Sequence, residues 1–447
     1  MFDPVDSVSK SYSDKTSRWI GLLVSATASV LWASLPVAPV APIVTLLLVV
    51  AFGGLAYVVV AEMAHPVLDK RAVLVVAMIA LVVVSVMPSR RSHDVWAYAA
   101  YGELVVGHHV SPNTHRPSEF PRDIAVERMA PGWRHSRSVY GPVFTAISVA
   151  AVFVTGDSWA TRLIFQFGAA LCIGACLVLL SRRCGCIPLI MVGLNPLVIV
   201  SVVNGGHNDA LVALLLLIAC VAAAERRDHL AGGLAGVAVN VKVIALLPAV
   251  ALAYWAWRRT GSRVIPLWIA GISVVGYSLV GGVQAVLPIL AAGSLQSRSS
   301  VWMPVHVFLH SMHLSDAHVG LAAAGSVVAL TALLVWAYAD DAMPYRVVAL
   351  PLVAYMLLAG YVLPWYLVSA LPLLAMKNDK RIILISVGLT GLYMLAYQYS
   401  PGRHTELNSL LLISVTTLQL VKVAAAVFMA QIAVRHVRRE PALQVSA

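Results

Sequence analysis

Charge is what this 447-residue sequence lacks: Asp, Glu, Lys and Arg together make up 11% of it, and only 20 side chains are acidic. Soluble domains carry about 25% charged residues, so this chain has too few polar groups to cover a water-facing surface. No stretch is long and polar enough to form a separate soluble domain. Internal repeats and low-complexity segments are missing too, and the absence of two matching halves weighs against the common secondary-transporter architectures. Cysteine is scarce. Cys172, Cys176, Cys184, Cys186 and Cys220 lie inside or at the ends of apolar runs, where a solvent-facing disulfide framework is excluded and no second ligand pair exists for a metal. They read as packing residues. His108, His109, His115, His310, His313 and His318 are too irregularly spaced to hold a metal, so neither a metal nor a cofactor is expected.

What is present is apolar sequence. With 60% hydrophobic residues and a mean hydropathy of +0.85, the chain is an all-α polytopic membrane protein, since runs of about 20 apolar residues cross a bilayer as helices. A net charge of +11 would suggest nucleic acid in a soluble chain. Here most Lys and Arg residues fall in short turns between apolar runs, which is the signature of membrane orientation. The bilayer is therefore the expected partner and nucleic acid is not.

Runs at 19–35, 42–62 and 71–87 form the first expected spans, followed by a long polar loop, 88–140. If the run at 141–155 also crossed, every later basic turn would be inverted, so it is read as a half-inserted or surface-lying helix. Further runs at 160–181, 187–203, 208–224, 230–240, 242–257, 264–286, 317–338, 346–362, 365–376, 381–398 and 408–433 bring the expected total to about 11–14 helices. Those at 230–240 and 242–257 are too short to cross upright, so they are expected to form a hairpin turning at Asn240-Val241-Lys242. This arrangement gives a cytoplasmic tail over 1–18, one transmembrane domain over 19–433 with the loop 88–140 extracytoplasmic, and a second cytoplasmic tail over 434–447.

The loop opens on Ser92-His93-Asp94-Val95-Trp96-Ala97-Tyr98-Ala99-Ala100-Tyr101. An ionisable group where a span meets water is expensive unless it is paired or used, which makes Asp94 the first candidate for chemistry. A helix starting there places Asp94, Tyr98, Tyr101 and Val105 on one stripe and turns Glu103 away. Asp94 can equally cap that helix. The same far side collects Arg134-His135, Tyr140, Asn204-Gly205-Gly206-His207-Asn208-Asp209, Lys242, Arg298 with His306, Trp365-Tyr366, and Arg403. Each has a bland alternative. Asn208 or Asp209 can cap the next helix, Lys242 can snorkel or meet an anion such as phosphate, and Arg134, His135 and Arg137 can bind a phosphate or ordinary headgroups. Trp365-Tyr366 can belong to an interfacial aromatic belt or form a stacking surface.

Taken in order, Asp94-Val95-Trp96-Ala97-Tyr98, Tyr140-Gly141-Pro142, Asn195-Pro196-Leu197, Gly205-Gly206-His207-Asn208-Asp209, Val241-Lys242 and Leu363-Pro364-Trp365-Tyr366 resemble the actinobacterial polyprenol-phosphomannose-dependent mannosyltransferases of the GT-C fold. The resemblance implies a GT-C glycosyltransferase-like bundle with a large first extracytoplasmic loop. It also implies transfer of mannose from a polyprenyl-phosphate-sugar donor to a glycolipid or mannan acceptor, in the synthesis of phosphatidylinositol mannosides or lipomannan. Asp94 would correspond to the family's catalytic Asp, acting as general base, with Lys242, His207 and Arg298 or Arg403 on the donor phosphate. A flippase or transporter of polyprenyl-linked sugars is the rival function, and a non-catalytic membrane scaffold the third.

Overall fold

A computed structural model describes residues 4–35, 42–90, 92–293, 295–315, 317–399 and 405–444, and among these there are helices and turns but no strand. The protein is an all-α polytopic membrane protein. Five helices are long and apolar enough to cross a bilayer alone: Pro42–Ala64, Ser158–Arg183, His318–Tyr338, Lys380–Tyr397 and Glu406–Val437. Two bent pairs raise the number to seven. Other expected spans fold as shorter helices, among them Asp209–Ala224 and Tyr345–Leu358, and the run expected to be half-inserted or surface-lying forms the short helix Pro142–Thr155. At 1.5 Å per residue, helices of 14 and 16 residues measure about 21 and 24 Å, against about 30 Å of hydrocarbon.

The breaks have local causes. In the run 187–203, Cys186–Gly193 is bent by 44° from Leu197–Val203, because Pro196 cannot continue a helix and the Asn195 side chain takes the Leu197 N–H at 3.0 Å. Leu197–Val203 is a π-helix, a form that is rare outside functional neighbourhoods. Within 264–286, Val264–Leu279 and Val283–Ala292 are bent by 100° at Gly281 and Gly282, both with positive φ. The hairpin expected at Asn240-Val241-Lys242 is present: Asp228–Val241 ends there, and Val243–Ala245 leads into Leu246–Thr260.

Turns that carry most of the basic residues meet at one end of the bundle. Lys380 donates to the Met63 carbonyl at 2.9 Å, the Cys186 thiol to Leu68 O at 3.1 Å, and Arg183 pairs with Glu225 at 3.1 Å. Nearby, Arg18 and Glu62 form a buried pair at 2.9 Å. From this end, helix Lys70–Val86, capped by Asp69 on the Ala72 N–H, runs to the loop that begins at Met87.

The loop 88–140 is itself folded, through Asp94–Val106, Pro117–Glu119, Ile124–Arg128 and Pro131–Arg134. Its entry is fixed by three buried polar side chains. Arg162 and Gln166 both donate to Met87 O at 2.9 Å, and Asn204 donates to Val84 O at 3.1 Å. Gln166 also donates to Asn204 O at 2.7 Å, so helix Ser158–Arg183 and the glycine turn at 204–206 are tied to the chain just ahead of Asp94. Helix Asp94–Val106 then lies against Pro142–Thr155 and Ser158–Arg183, with Trp96, Tyr98 and Tyr101 buried.

Candidate active site

The helix expected to start at Asp94 does so, running Asp94–Val106. The Asp94 N–H is taken by the Ser92 hydroxyl at 3.1 Å, and no side-chain bond caps the helix from His93. The carboxylate is thereby released from the capping role and turns to His207, with Oδ2 3.3 Å from Nδ1. His207 is 1% exposed and Asp94 26%, so the acid faces the cavity and the imidazole backs it. The His207 ring stacks on Trp365 at 4.3 Å between centroids, with 23° between planes. Neither ring nitrogen has an aligned hydrogen-bond partner.

Burial pushes the Asp94 carboxyl up, but the His207 imidazole, with Lys242 and His93 behind it, outweighs burial and holds it below the ordinary carboxylate range. Tyr98, Tyr101 and Tyr140 are pushed the other way, chiefly by burial and further by Asp94. They stay protonated as donors. Tyr101 donates to Ser136 O at 3.1 Å, which pins the end of the loop across the carboxylate's helix. Tyr98 packs edge-on against Tyr140, Phe144 and Phe165.

Two glycines let the parts approach. Gly206 sits at φ +62, and a Cβ there would meet Val95 Cγ1 at 2.6 Å, so only glycine brings the 204–209 turn onto the Asp94 helix. At Gly141 a Cβ would lie 2.2 Å from Asn240 O, and the Gly141 N–H donates to Val241 O at 3.2 Å. That contact brings Tyr140 beside Lys242.

Lys242 meets an anion, and the anion is within the chain. Its ammonium bonds both carboxylate oxygens of Asp209 at 2.9 Å and lies 4.0 Å over the Tyr366 ring. The capping alternatives for Asn208 and Asp209 give way here. Asn208 is the N-cap residue without a side-chain bond, while Asp209, wholly buried, is committed to Lys242. A bare carboxylate at that depth must be paired, and Lys242 is the cation in reach.

A cavity of about 60 Å³ opens between these groups, walled by Asp94, Tyr101, Tyr140, Lys242, Tyr361 and Tyr366. His207, Asp209 and Trp365 stand behind that wall. Other candidates lie apart. Arg134 donates to Glu127 O, and His135 lines a neighbouring cavity. The exposed Arg298 donates to Tyr399 O at 3.0 Å, and the His306 ring lies 6.4 Å from that of His310. Arg403 falls outside the described residues. Tyr361 and Trp133 were missed as wall residues. Tyr361 sits five positions before Tyr366 at the same span end, a proximity that could have identified it, and Trp133 was masked by the arginines that follow it.

A long-helix bundle with a carboxylate, an imidazole and an ammonium gathered beneath a folded polar loop defines a polytopic membrane protein with one enclosed polar site. The chain belongs to the alpha-(1->6)-mannopyranosyltransferase family, whose N-terminal domain model matches residues 12–259. That stretch holds Asp94, His207, Asp209 and Lys242. Similar proteins include the probable alpha-(1->6)-mannopyranosyltransferase of Mycolicibacterium smegmatis, 30% identical over 30% of this chain and 25% of that protein. Another is alpha-(1->6)-mannopyranosyltransferase A of Corynebacterium glutamicum, 26% identical over 37% of this chain and 34% of that one. The matched part thus spans about a quarter to a third of these relatives' length. No solved structure matches the chain.

Proposed function

We propose that this protein transfers mannose from a polyprenyl-phosphate-mannose donor to a mannosylated lipid or glycan acceptor, inverting the anomeric centre. The site would face the extracytoplasmic side of the plasma membrane, with both termini cytoplasmic. One observation carries the reading: a single ionised carboxylate, Asp94, borders an enclosed cavity and is held in place by a buried imidazole.

Single displacement on a β-linked sugar phosphate needs one base and yields an α-glycoside. The acceptor oxygen attacks C1 and the C1–O bond to phosphate breaks, its electron pair leaving with the phosphate. The acceptor proton passes to Asp94. A carboxylate of low basicity suffices if the transition state is oxocarbenium-like, because the attacking hydroxyl becomes acidic as its new bond forms. The hydroxyl of Tyr140, on the cavity wall, offers a donor to a sugar oxygen, while that of Tyr101 is committed to Ser136 O.

Asp94→Asn keeps size and shape but removes the base. Transfer of labelled mannose by the purified variant should fall about 10²–10⁴-fold, with the thermal unfolding midpoint little changed. Near-normal transfer would remove Asp94 from the chemistry.

A further inference from the structure

Beside the carboxylate cavity lies a second and larger one, of about 360 Å³, and the two share Trp133 and Val139 as a common wall. One side of it carries Arg116, His135 and Arg137, and the other carries Leu287, Ala291 and Leu295. Leu287 and Ala291 belong to Val283–Ala292, the helix bent by 100° from its predecessor, and Leu295 follows it. On that helix Leu287 and Leu290 are 46% and 66% exposed. A strongly cationic wall thus faces an apolar one, and the apolar one continues onto the surface.

Charge at the carboxylate cavity is already matched. Lys242 is held by both oxygens of Asp209, and Asp94 has His207. Arg128 lies over the rings of Trp159 and Trp96, at 4.1 and 5.4 Å. By contrast, Arg116 and Arg137 form no ion pair among the described residues, and Arg137 Nε is shielded from solvent without a hydrogen-bond partner. A guanidinium offers a planar fork that matches phosphate oxygens in pairs. A ligand that satisfies both walls is a phosphate ester with a hydrocarbon chain.

We propose that this second cavity binds the phosphate of a polyprenyl phosphate, with Arg116 and Arg137 on its oxygens and Leu287, Ala291 and Leu295 against its first carbons. This deepens the proposed function and rests on it in one respect: the bound phosphate is that of the sugar donor. Lys242, committed to Asp209, then serves to organise the site, and the sugar crosses the Trp133–Val139 partition to reach Asp94. Membrane phospholipid is the other source of the same chemistry.

Binding of radiolabelled farnesyl phosphate to the purified protein in detergent separates these sources without requiring transfer. The wild type should bind saturably, the Arg116→Gln/Arg137→Gln variant at least tenfold more weakly, and Arg116→Lys/Arg137→Lys to an intermediate degree. Ala291→Trp, which fills the apolar side and leaves both arginines in place, should weaken binding to a similar extent as the glutamine pair. In transfer assays the glutamine pair should raise the donor KM at least tenfold. Unchanged farnesyl phosphate affinity in both the glutamine pair and Ala291→Trp would overturn the site. Displacement of farnesyl phosphate by an equal concentration of phosphatidylglycerol would overturn its assignment to the donor. Saturable binding by a wild-type protein that transfers no mannose would sink the proposed function while sustaining the site.

Discussion

At the residue scale, two ion contacts do different work. Asp94 is held below the ordinary carboxylate range by His207 against the opposing effect of burial, so the base is present at neutral pH and is lost only as pH falls through that lowered value. In His207→Gln, burial acts with less opposition and the value rises. The acid limb of the kcat/KM profile, which reports the free enzyme, should therefore move to higher pH in that variant; an unmoved limb would disconnect His207 from Asp94. The Asp209–Lys242 pair is structural in its energetics. Removing one partner from a buried pair leaves an uncompensated charge and costs about 3–5 kcal/mol. Lys242→Met should lower the thermal midpoint strongly, and adding Asp209→Leu should recover most of the loss.

At the element scale, the site is the meeting of a helix start, a glycine turn and a hairpin turn. Gly141 and Gly206 let these parts approach. Gly141 lets the start of Pro142–Thr155 touch the 240–241 backbone, and an added methyl has nowhere to go because the atoms it would meet are Asn240 main chain. Overpacking of this kind costs about 1–3 kcal/mol. Gly141→Ala should lower the thermal midpoint by that measure and depress transfer further than the instability explains, since Tyr140 and Lys242 flank the strained contact. A loss of transfer no larger than the fall in folded fraction would leave the junction with a purely structural role.

At the scale of the whole molecule, the basic turns gathered around Met63, Leu68, Arg183 and Glu225 and the polar site beyond helix Lys70–Val86 mark two ends of one bundle. In the proposed orientation the first end faces the cytoplasm, in keeping with the positive-inside tendency. In intact cells, an impermeant maleimide should label Arg122→Cys and spare Lys377→Cys, both exposed positions. Labelling of Lys377→Cys alone would invert the orientation and put the proposed chemistry on the wrong face.

The membrane class, the helix beginning at Asp94, the turn at Lys242 and the gathering of residues 94, 207, 209, 242 and 366 on one side could be read from the chain, because each depends on local hydropathy, on glycine and proline punctuation, or on the cost of an ionisable group in apolar sequence. Partnership could not be read. Asp209 lies 33 positions from Lys242, and capping was an equally good local explanation for it until the hairpin brought the ammonium within bonding distance. Arg298 and His306 looked like members of the site, but neither lines the cavity beside Asp94. Sequence alone determined which groups are too costly to stand unpaired in this protein; the tertiary structure decided which of them pair with one another, because contacts between residues far apart in the chain depend on how the helices pack.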